Sequence, residues 1–469
     1  MTRPFKPTQT ILPRYEDDVL GLPAAAMAFT NSERKSAWCD RRWHFAYALR
    51  MKGAGNKAMS RGRWVHDALD ALFTFYKHTD LPVPHDWARV CPLCKVRDQY
   101  DSDCPVCDGT GGGIVEICME SMRRDWWANQ ELSIEWDEEE SRLSQMLQGY
   151  IERWGAYPLS DWKVVDTERA FACPVVSWRT GKIYRSKVPV VEEEGGWRMA
   201  RPGDQFKQPI DEVLLPFYQV GRLDAVLQNR KTGDLLVHEF KTSANPTSFV
   251  RDLHLDTQIP GYMRLLNHGR HFADWFEGSG NVIGYQYDVI SSRGWSRPKF
   301  LKSGKLSTAA RTQASVPSWA WKKCVETPGI EAKHTDAEWD KIEALARESE
   351  FTVDQKLYLR EFGTFDERLM RRFEMELFAD AQRFAKMRRN SIRMSSGCER
   401  VNEDAVSAHF PRTAVCRVQG HGCDFKSICL HDSTEARRDF IESPALRWLS
   451  QNSLTQSEAP QTTEIKCPF

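Results

Sequence analysis

The 469-residue chain has no excess of charge: Lys and Arg total 65, as do Asp and Glu. Overall composition therefore neither demands nor forbids a polyanionic partner, because a local positive groove can supply phosphate contacts in a neutral protein. The chain also lacks any apolar run long enough to span a bilayer. Its opening stretch, Met1 to Tyr15, is polar and basic without an apolar centre, so no secretory leader is expected. Internal repeats are absent too. Neither a membrane-spanning helix nor a repeat architecture is expected, and the protein is expected to be cytoplasmic. Hydrophobic residues at 41% and charged residues at 28% are ordinary for a globular chain, here long enough for a core with insertions.

Cysteine is what the sequence has in quantity, with 13 residues. In a reducing compartment clustered thiols serve as metal ligands more often than as disulfides. Cys91, Cys94, Cys104 and Cys107 form one group, Cys416, Cys423 and Cys429 another, and Cys39 stands alone.

Periodicity predicts helices over 32–51 and 60–77, then helical character from Glu116 to Trp154. Trp162 to Val176 alternates like a strand, and the charged 178–212 reads as a long hairpin or loop. Two strands, Phe217–Gln228 and Leu235–Thr242, are joined by a turn that ends at Gly233. A helix over 252–267, despite Pro260, and a strand Val282–Ile290 follow. The Ser- and Gly-rich 293–316 reads as extended or mobile, 335–408 as helical, and the last twenty residues as disordered.

The strongest local pattern is Gly221-Arg-Leu-Asp224-Ala-Val-Leu, the turn, then Leu235-Leu-Val-His-Glu239-Phe-Lys241-Thr-Ser. Antiparallel strands joined by a short turn lie side by side, so Asp224 and Glu239 can converge. Two close carboxylates repel and favour a divalent cation between them. Glu239 and Lys241, two apart, share a strand face, which sets an ammonium beside the cation. Mg²⁺ or Mn²⁺ suits such an oxygen-rich, incomplete ligand set. Solvated charges on an exposed hairpin are the bland alternative, and Glu-x-Lys by itself would not displace it.

Further residues follow in order: Arg61-Gly62-Arg-Trp-Val-His66 upstream, Glu168 in Val-Val-Asp-Thr-Glu-Arg-Ala-Phe, and Gln258-Ile-Pro-Gly-Tyr262 downstream. With these the chain resembles the RecB-like branch of the PD-(D/E)XK nucleases, including its CRISPR-associated exonuclease-like members. Leu223 stands where the class name has proline. The resemblance implies that His66, Asp224, Glu239 and the Phe240 carbonyl hold the metal. It implies that Lys241 orients a water, that Gln258 and Tyr262 order the site, and that Glu168 is an accessory acid.

One early cysteine, Cys39, with Cys416, Cys423 and Cys429 resembles the clasp of the iron–sulfur subgroup, which implies a structural [4Fe–4S] cluster. Zinc in the same thiolates is the alternative, and Cys398 is a spare ligand. Cys91-Pro-Leu-Cys94 and Cys104-Pro-Val-Cys107-Asp-Gly-Thr-Gly-Gly form two knuckles suited to one tetrahedral Zn²⁺, and resemble a zinc ribbon. The tract Arg293 to Ser307, with Arg293, Trp295, Lys302 and Lys305, interleaves cations and rings as nucleic-acid-binding segments do, and resembles a tract of phage-encoded members.

The expected fold is α/β, a restriction-endonuclease-like mixed β-sheet flanked by helices, with a zinc-ribbon insertion and a helical C-terminal region. The expected organisation is an N-terminal extension (1–30), N-terminal helices of the nuclease domain (31–79), the zinc insertion (80–115) and the nuclease core (116–292). A basic linker (293–334), a helical region with the cysteine cluster (335–449) and a disordered tail (450–469) complete it. The implied activity is a metal-dependent DNA exonuclease acting on single strands or duplex ends in phage or prophage recombination or replication, with recombination or replication proteins as partners. A non-catalytic DNA-binding or scaffolding protein on the same fold, or an RNA-directed nuclease, is the alternative.

Overall fold

The computed structural model describes residues 19–20, 26–48, 51–52, 57–84, 86–128, 136–155, 160–193, 196–200, 211–272, 280–292, 298–307, 316–352, 354–364, 366–395, 410, 423, 425, 429 and 441–442. Cys398, Cys416, Arg293, Trp295 and the tail from 450 lie outside them. No helix among the described residues is long and apolar enough to cross a membrane.

A nine-stranded mixed sheet organises the chain. Its strands are β1 (Val19–Leu20), β2 (Met27–Thr30), β4 (Trp162–Pro174), β5 (Arg185–Glu193), β6 (Gly196–Met199), β7 (Glu212–Asn229), β8 (Leu235–Ser243), β9 (Val282–Ser291) and β10 (Tyr358–Gly363); β3 (Met51–Lys52) lies apart from it. The central path runs β1-β4-β7-β8-β9-β10. β7 and β8 are antiparallel, whereas β8 and β9 run parallel. That parallel step needs a crossover, which α7 (Pro246–Arg251) and α8 (Gln258–Gly269) provide. The earlier helices are α1 (Asn31–Ser36), α2 (Asp40–Trp43), α3 (Lys57–Thr79), α4 (Pro92–Arg97), α5 (Ile114–Ala128) and α6 (Trp136–Trp154).

Both faces of the mixed sheet are covered, as its parallel β8–β9 step favours. On one side Trp64, Leu69, Phe73 and Tyr76 of α3 pack with Met122, Leu147, Leu227 and Phe240. On the other, Ile259, Leu265 and Leu266 of α8 pack with Phe171, Leu223 and Val237. Pro260 sits in the first turn of α8, where its missing N–H is harmless.

Several elements differ from the expectation. The helix read over 32–51 is broken: α1 ends at Ser36, Cys39 is extended at φ −132° and ψ 118°, and a short α2 and a π-turn follow. Thr30 caps α1, its hydroxyl accepting from the Glu33 amide at 3.1 Å. The 1–30 stretch read as an extension supplies β1 and β2 to the sheet. β5 and β6 pair as an antiparallel hairpin, in line with the hairpin-or-loop reading of 178–212, while β10 interrupts the 335–408 stretch in which helices otherwise dominate as expected. The described part of the stretch read as extended or mobile bends back at Gly304, with Phe300 bridged to Leu306. It packs into a separate small core around Trp321 and Ile342.

Candidate active site

The β7–β8 ladder carries Ala225 opposite His238. One step further along, Asp224 and Glu239 come level, and the ladder gives way to a side chain. The Phe240 amide donates to Asp224 Oδ2 at 2.7 Å instead of to a backbone carbonyl. Lys241 Nζ donates to Glu239 Oε1, since the two side chains share a face of β8. Gln258 Nε2 reaches the same Glu239 oxygen at 2.9 Å and the Tyr262 hydroxyl at 2.7 Å. From the opposite side α3 brings His66 Nδ1 to 3.6 Å from Asp224 Oδ2.

Helix α3 approaches this strand end because residue 62 is glycine. A Cβ there would meet Thr242 Oγ1 at 2.9 Å. Gly261 plays the same part in α8, where a Cβ would meet Gln219 Nε2 at 2.7 Å.

Glu239 is 1% exposed, and its Oε2 has no hydrogen-bond partner among the described residues. Burial, then repulsion from Asp224, pushes its carboxyl well above the usual carboxylate range, against the pull of Lys241. Burial opposes charge on Lys241, yet Glu239 and Asp224 outweigh it and raise the ammonium's pKa. Burial lowers the His66 pKa despite Asp224, favouring the neutral imidazole that ligates cations. An orphaned carboxylate oxygen, a second carboxylate and a neutral imidazole are donor types that suit a divalent ion, although as placed here the three do not bring one ligand atom each within 4.8 Å of the others.

Glu168 lies on β4 with φ +47°, a left-handed conformation that costs a non-glycine residue of order 1 kcal/mol or more. Arg222 Nη1 donates to its Oε2 at 2.9 Å. Burial, then Asp224 and Asp70, raises its pKa to about 8. Asp70 was not expected. It stands one turn after His66 on α3, a spacing that could have flagged it. Burial, with Asp67 and Asp224 nearby, raises its pKa to about 6. Lys35 was also missed: α1 carries it to Gln258 Oε1 at 2.9 Å and Asp256 at 3.1 Å, a contact across more than 200 residues that no local pattern encodes.

The thiols of Cys91, Cys94, Cys104 and Cys107 are buried, and all four sulfurs lie within 4.8 Å of one another. Cys91–Cys104 is 3.7 Å and Cys94–Cys107 is 3.9 Å. A tetrahedron of thiolates at about 2.3 Å from one Zn²⁺ has edges of about 3.8 Å. Gly109 makes the second knuckle possible: φ is +72° and a Cβ would lie 2.3 Å from the Ser102 carbonyl oxygen.

Of the expected iron–sulfur ligands, Cys39, Cys423 and Cys429 are described and Cys416 is not. Cys423 and Cys429 pack against Phe45 and Phe425, and Arg41 Nη1 lies 3.8 Å from Cys429 Sγ. Residues 51–52 pair antiparallel with β11 (Ile441–Glu442). Among the expected nucleic-acid contacts, Lys302 is exposed but Lys305 is held by Glu338 Oε2 at 2.8 Å.

A comparison with curated proteins finds no match. The family model for the PD-(D/E)XK nuclease superfamily matches residues 34–430, a span that takes in the acid–acid–lysine hairpin, the His66 helix and both cysteine groups, and the chain belongs to that superfamily.

Proposed function

We propose that this protein is a Mg²⁺- or Mn²⁺-dependent DNA nuclease, of exonuclease type, that hydrolyses phosphodiester bonds in single strands or at duplex ends. The observation that carries the reading is the orphaned, buried Oε2 of Glu239 beside Asp224, with Lys241 on the same strand face. His66, Asp224, Glu239 and the Phe240 carbonyl would hold the ion. When bound, the ion supplies charge neutralisation and acidifies a ligated water. Lys241 positions that water, while Gln258 fixes the Glu239 carboxylate and is itself held by Tyr262 and Lys35.

The four-thiol unit binds one Zn²⁺ and is structural: its residues share a hydrophobic core with Trp64, Val65 and Leu69 of α3, the helix that presents His66. Cys39, Cys416, Cys423 and Cys429 hold a [4Fe–4S] clasp that joins the chain ends. A reducing compartment, the cytoplasm of a host cell for a phage-encoded protein, suits so many free thiols. The resemblance to phage-type relatives supports a role in recombination or replication, beside proteins of those processes, by analogy alone.

End-labelled single-stranded DNA, blunt duplex, circular single-stranded DNA and RNA, each with and without Mg²⁺ or Mn²⁺, test the reading. Linear DNA should be degraded in a chelator-sensitive way and circular DNA spared, with Lys241→Ala inert. Chelator-resistant cleavage, or an unimpaired Lys241→Ala, overturns the assignment. Binding without cleavage would make the protein a scaffold, and faster loss of RNA would reassign the substrate.

A further inference from the structure

Residues 299–305 read Lys-Phe-Leu-Lys-Ser-Gly-Lys. Gly304, at φ +78°, turns this stretch back on itself. Its amide donates to the Leu301 carbonyl at 2.8 Å, the Leu301 amide to the Lys305 carbonyl at 2.7 Å, and the Ser307 amide to the Lys299 carbonyl at 2.8 Å. The base of the hairpin is fixed. Leu306 is 2% exposed in the small core with Trp321 and Ile342, and its amide donates to His334 Nε2 at 2.8 Å. Lys305 is tied to Glu338 at 2.8 Å. Yet Phe300 and Leu301, at the turn, are 53% and 52% exposed. Adjoining apolar side chains held in water and rimmed by charge mark an interaction surface.

The charge around this turn has one sign. Lys299 and Lys302 are exposed and flank the apolar pair in sequence. Lys333, also exposed, brings its Nζ to 3.3 Å from where a Cβ on Gly304 would stand. None of these three ammonium groups has an ion-pair partner among the described residues, whereas Glu338 is taken by Lys305. Unpaired cations around an exposed ring suit a polyanion with flat faces: phosphates meet the ammonium groups and a base stacks on Phe300. The hairpin also follows the edge of the sheet that carries the candidate site. Ser291 of β9 is level with Ser243 of β8, two residues past Lys241. The Ser292 amide donates to the Ser243 carbonyl at 2.8 Å, and the Ser292 carbonyl accepts from Arg61 of α3 at 3.4 Å. The chain thus leaves the sheet between the strand of Lys241 and the helix of His66. Lys299 comes seven residues after Ser292, at most about 25 Å away.

We propose that the 299–305 hairpin, with Lys333, is a single-stranded DNA contact outside the catalytic site, where Lys299, Lys302 and Lys333 hold phosphates and Phe300 stacks on a base. This contact rests on the nuclease reading above and deepens it by naming a second point at which the strand is held. It differs from the contact that the sequence pattern implies. Lys305 drops out because Glu338 holds it, while Lys299, Phe300 and the distant Lys333 come in. Every base has a flat face, so the contact is tolerant of sequence.

Fluorescence anisotropy of a labelled oligothymidine, in EDTA so that the strand stays intact, measures binding by the full chain across a salt series. Each phosphate contact to a single strand contributes about 0.7 to the slope of log K against log salt. The triple variant Lys299→Gln, Lys302→Gln, Lys333→Gln should therefore lower that slope by about 2. Phe300→Ala should weaken binding about ten-fold at every salt concentration and leave the slope unchanged, because stacking releases no counterions. All four side chains are exposed, so melting temperatures should match wild type, which separates lost contact from lost fold. A wild-type slope in the triple variant, or wild-type affinity in Phe300→Ala, overturns the contact. If Phe300→Ala instead shifts the chain to a smaller assembly by light scattering, with DNA affinity unchanged, the turn belongs to a second copy and the contact is likewise overturned. Chelator-sensitive, Lys241-dependent cleavage beside unaltered binding by the variants leaves the nuclease standing without the hairpin. A wild type that neither binds nor cleaves DNA overturns the nuclease reading, and the contact with it.

Discussion

Replacing Lys241 by Met separates what the ammonium does for the fold from what it does for the reaction. In the structure Lys241 is the cation that balances the buried Glu239 carboxylate, with Gln258 adding one neutral hydrogen bond. Removing one partner of a buried ion pair costs about 3–5 kcal/mol. The Lys241 side chain is 23% exposed, so water screens part of this, and about 2 kcal/mol is the expected loss without metal. A divalent ion at the same carboxylates would compensate: at a hundred-fold excess over its Kd, binding to the native state contributes about 2.7 kcal/mol. The variant's melting temperature should therefore lie several degrees below wild type in EDTA, and excess Mg²⁺ should raise it to about that of metal-free wild type, which the ion stabilises by a similar amount. Turnover should not return, because loss of a charge aimed at the reacting centre costs about 10²–10³ in rate. Thermal melts with and without Mg²⁺, run beside cleavage of a labelled strand, read both quantities. A variant that keeps a tenth or more of wild-type turnover, or a protein whose melting ignores Mg²⁺ in both forms, refutes the argument.

Cys104→Ser should reduce bound zinc from one per chain to a small fraction by elemental analysis. A strong chelator should then lower the melting temperature of wild type but not of the variant, since the ion's binding energy is folding energy. Gly62→Ala should cost about 1–2 kcal/mol and slow cleavage about ten-fold by pushing α3 and His66 off β8. Adding Thr242→Ala, which removes the clashing Oγ1, should restore much of both in a double-mutant cycle. Asp288 is buried and accepts from Arg360 at 2.6 Å through each oxygen and from Tyr150 at 2.6 Å, with His238 Nε2 at 3.3 Å. Burial opposes its ionisation, but His238 and Arg360 hold its carboxyl below the usual range. A depressed folded pKa stabilises above the unfolded value, near pH 4, and that stability is lost as pH falls through the folded value. Asp288→Asn should cost about 3 kcal/mol at neutral pH in a denaturant melt and flatten the acid limb.

The acid–acid–lysine hairpin was readable from the sequence because every part of it is local. A seven-residue approach, a turn ending in Gly233 and a Glu-x-Lys alternation fix register and face without help from the rest of the chain. The four-thiol unit was readable for the same reason: two short knuckles separated by nine residues close on themselves. His66, Gln258 and Tyr262 could be named from a family resemblance, but their meeting at Asp224 and Glu239 depends on how α3 and α8 dock on opposite faces of the sheet. That docking is set by apolar packing and by the close approach at Gly62 and Gly261. Lys35's part in the site was invisible, since its contacts with Gln258 and Asp256 exist only where segments far apart in sequence come together. β10, a strand inside the mostly helical 335–408, was not foreseen for a related reason: Tyr358–Gly363 has no strong strand signature, and pairing along β9 decides its conformation. The sequence by itself determined the short-range chemistry, where a few bonds constrain the geometry. Tertiary structure decided which distant side chains surround that chemistry, because side-chain burial and long-range charge have no period along the chain.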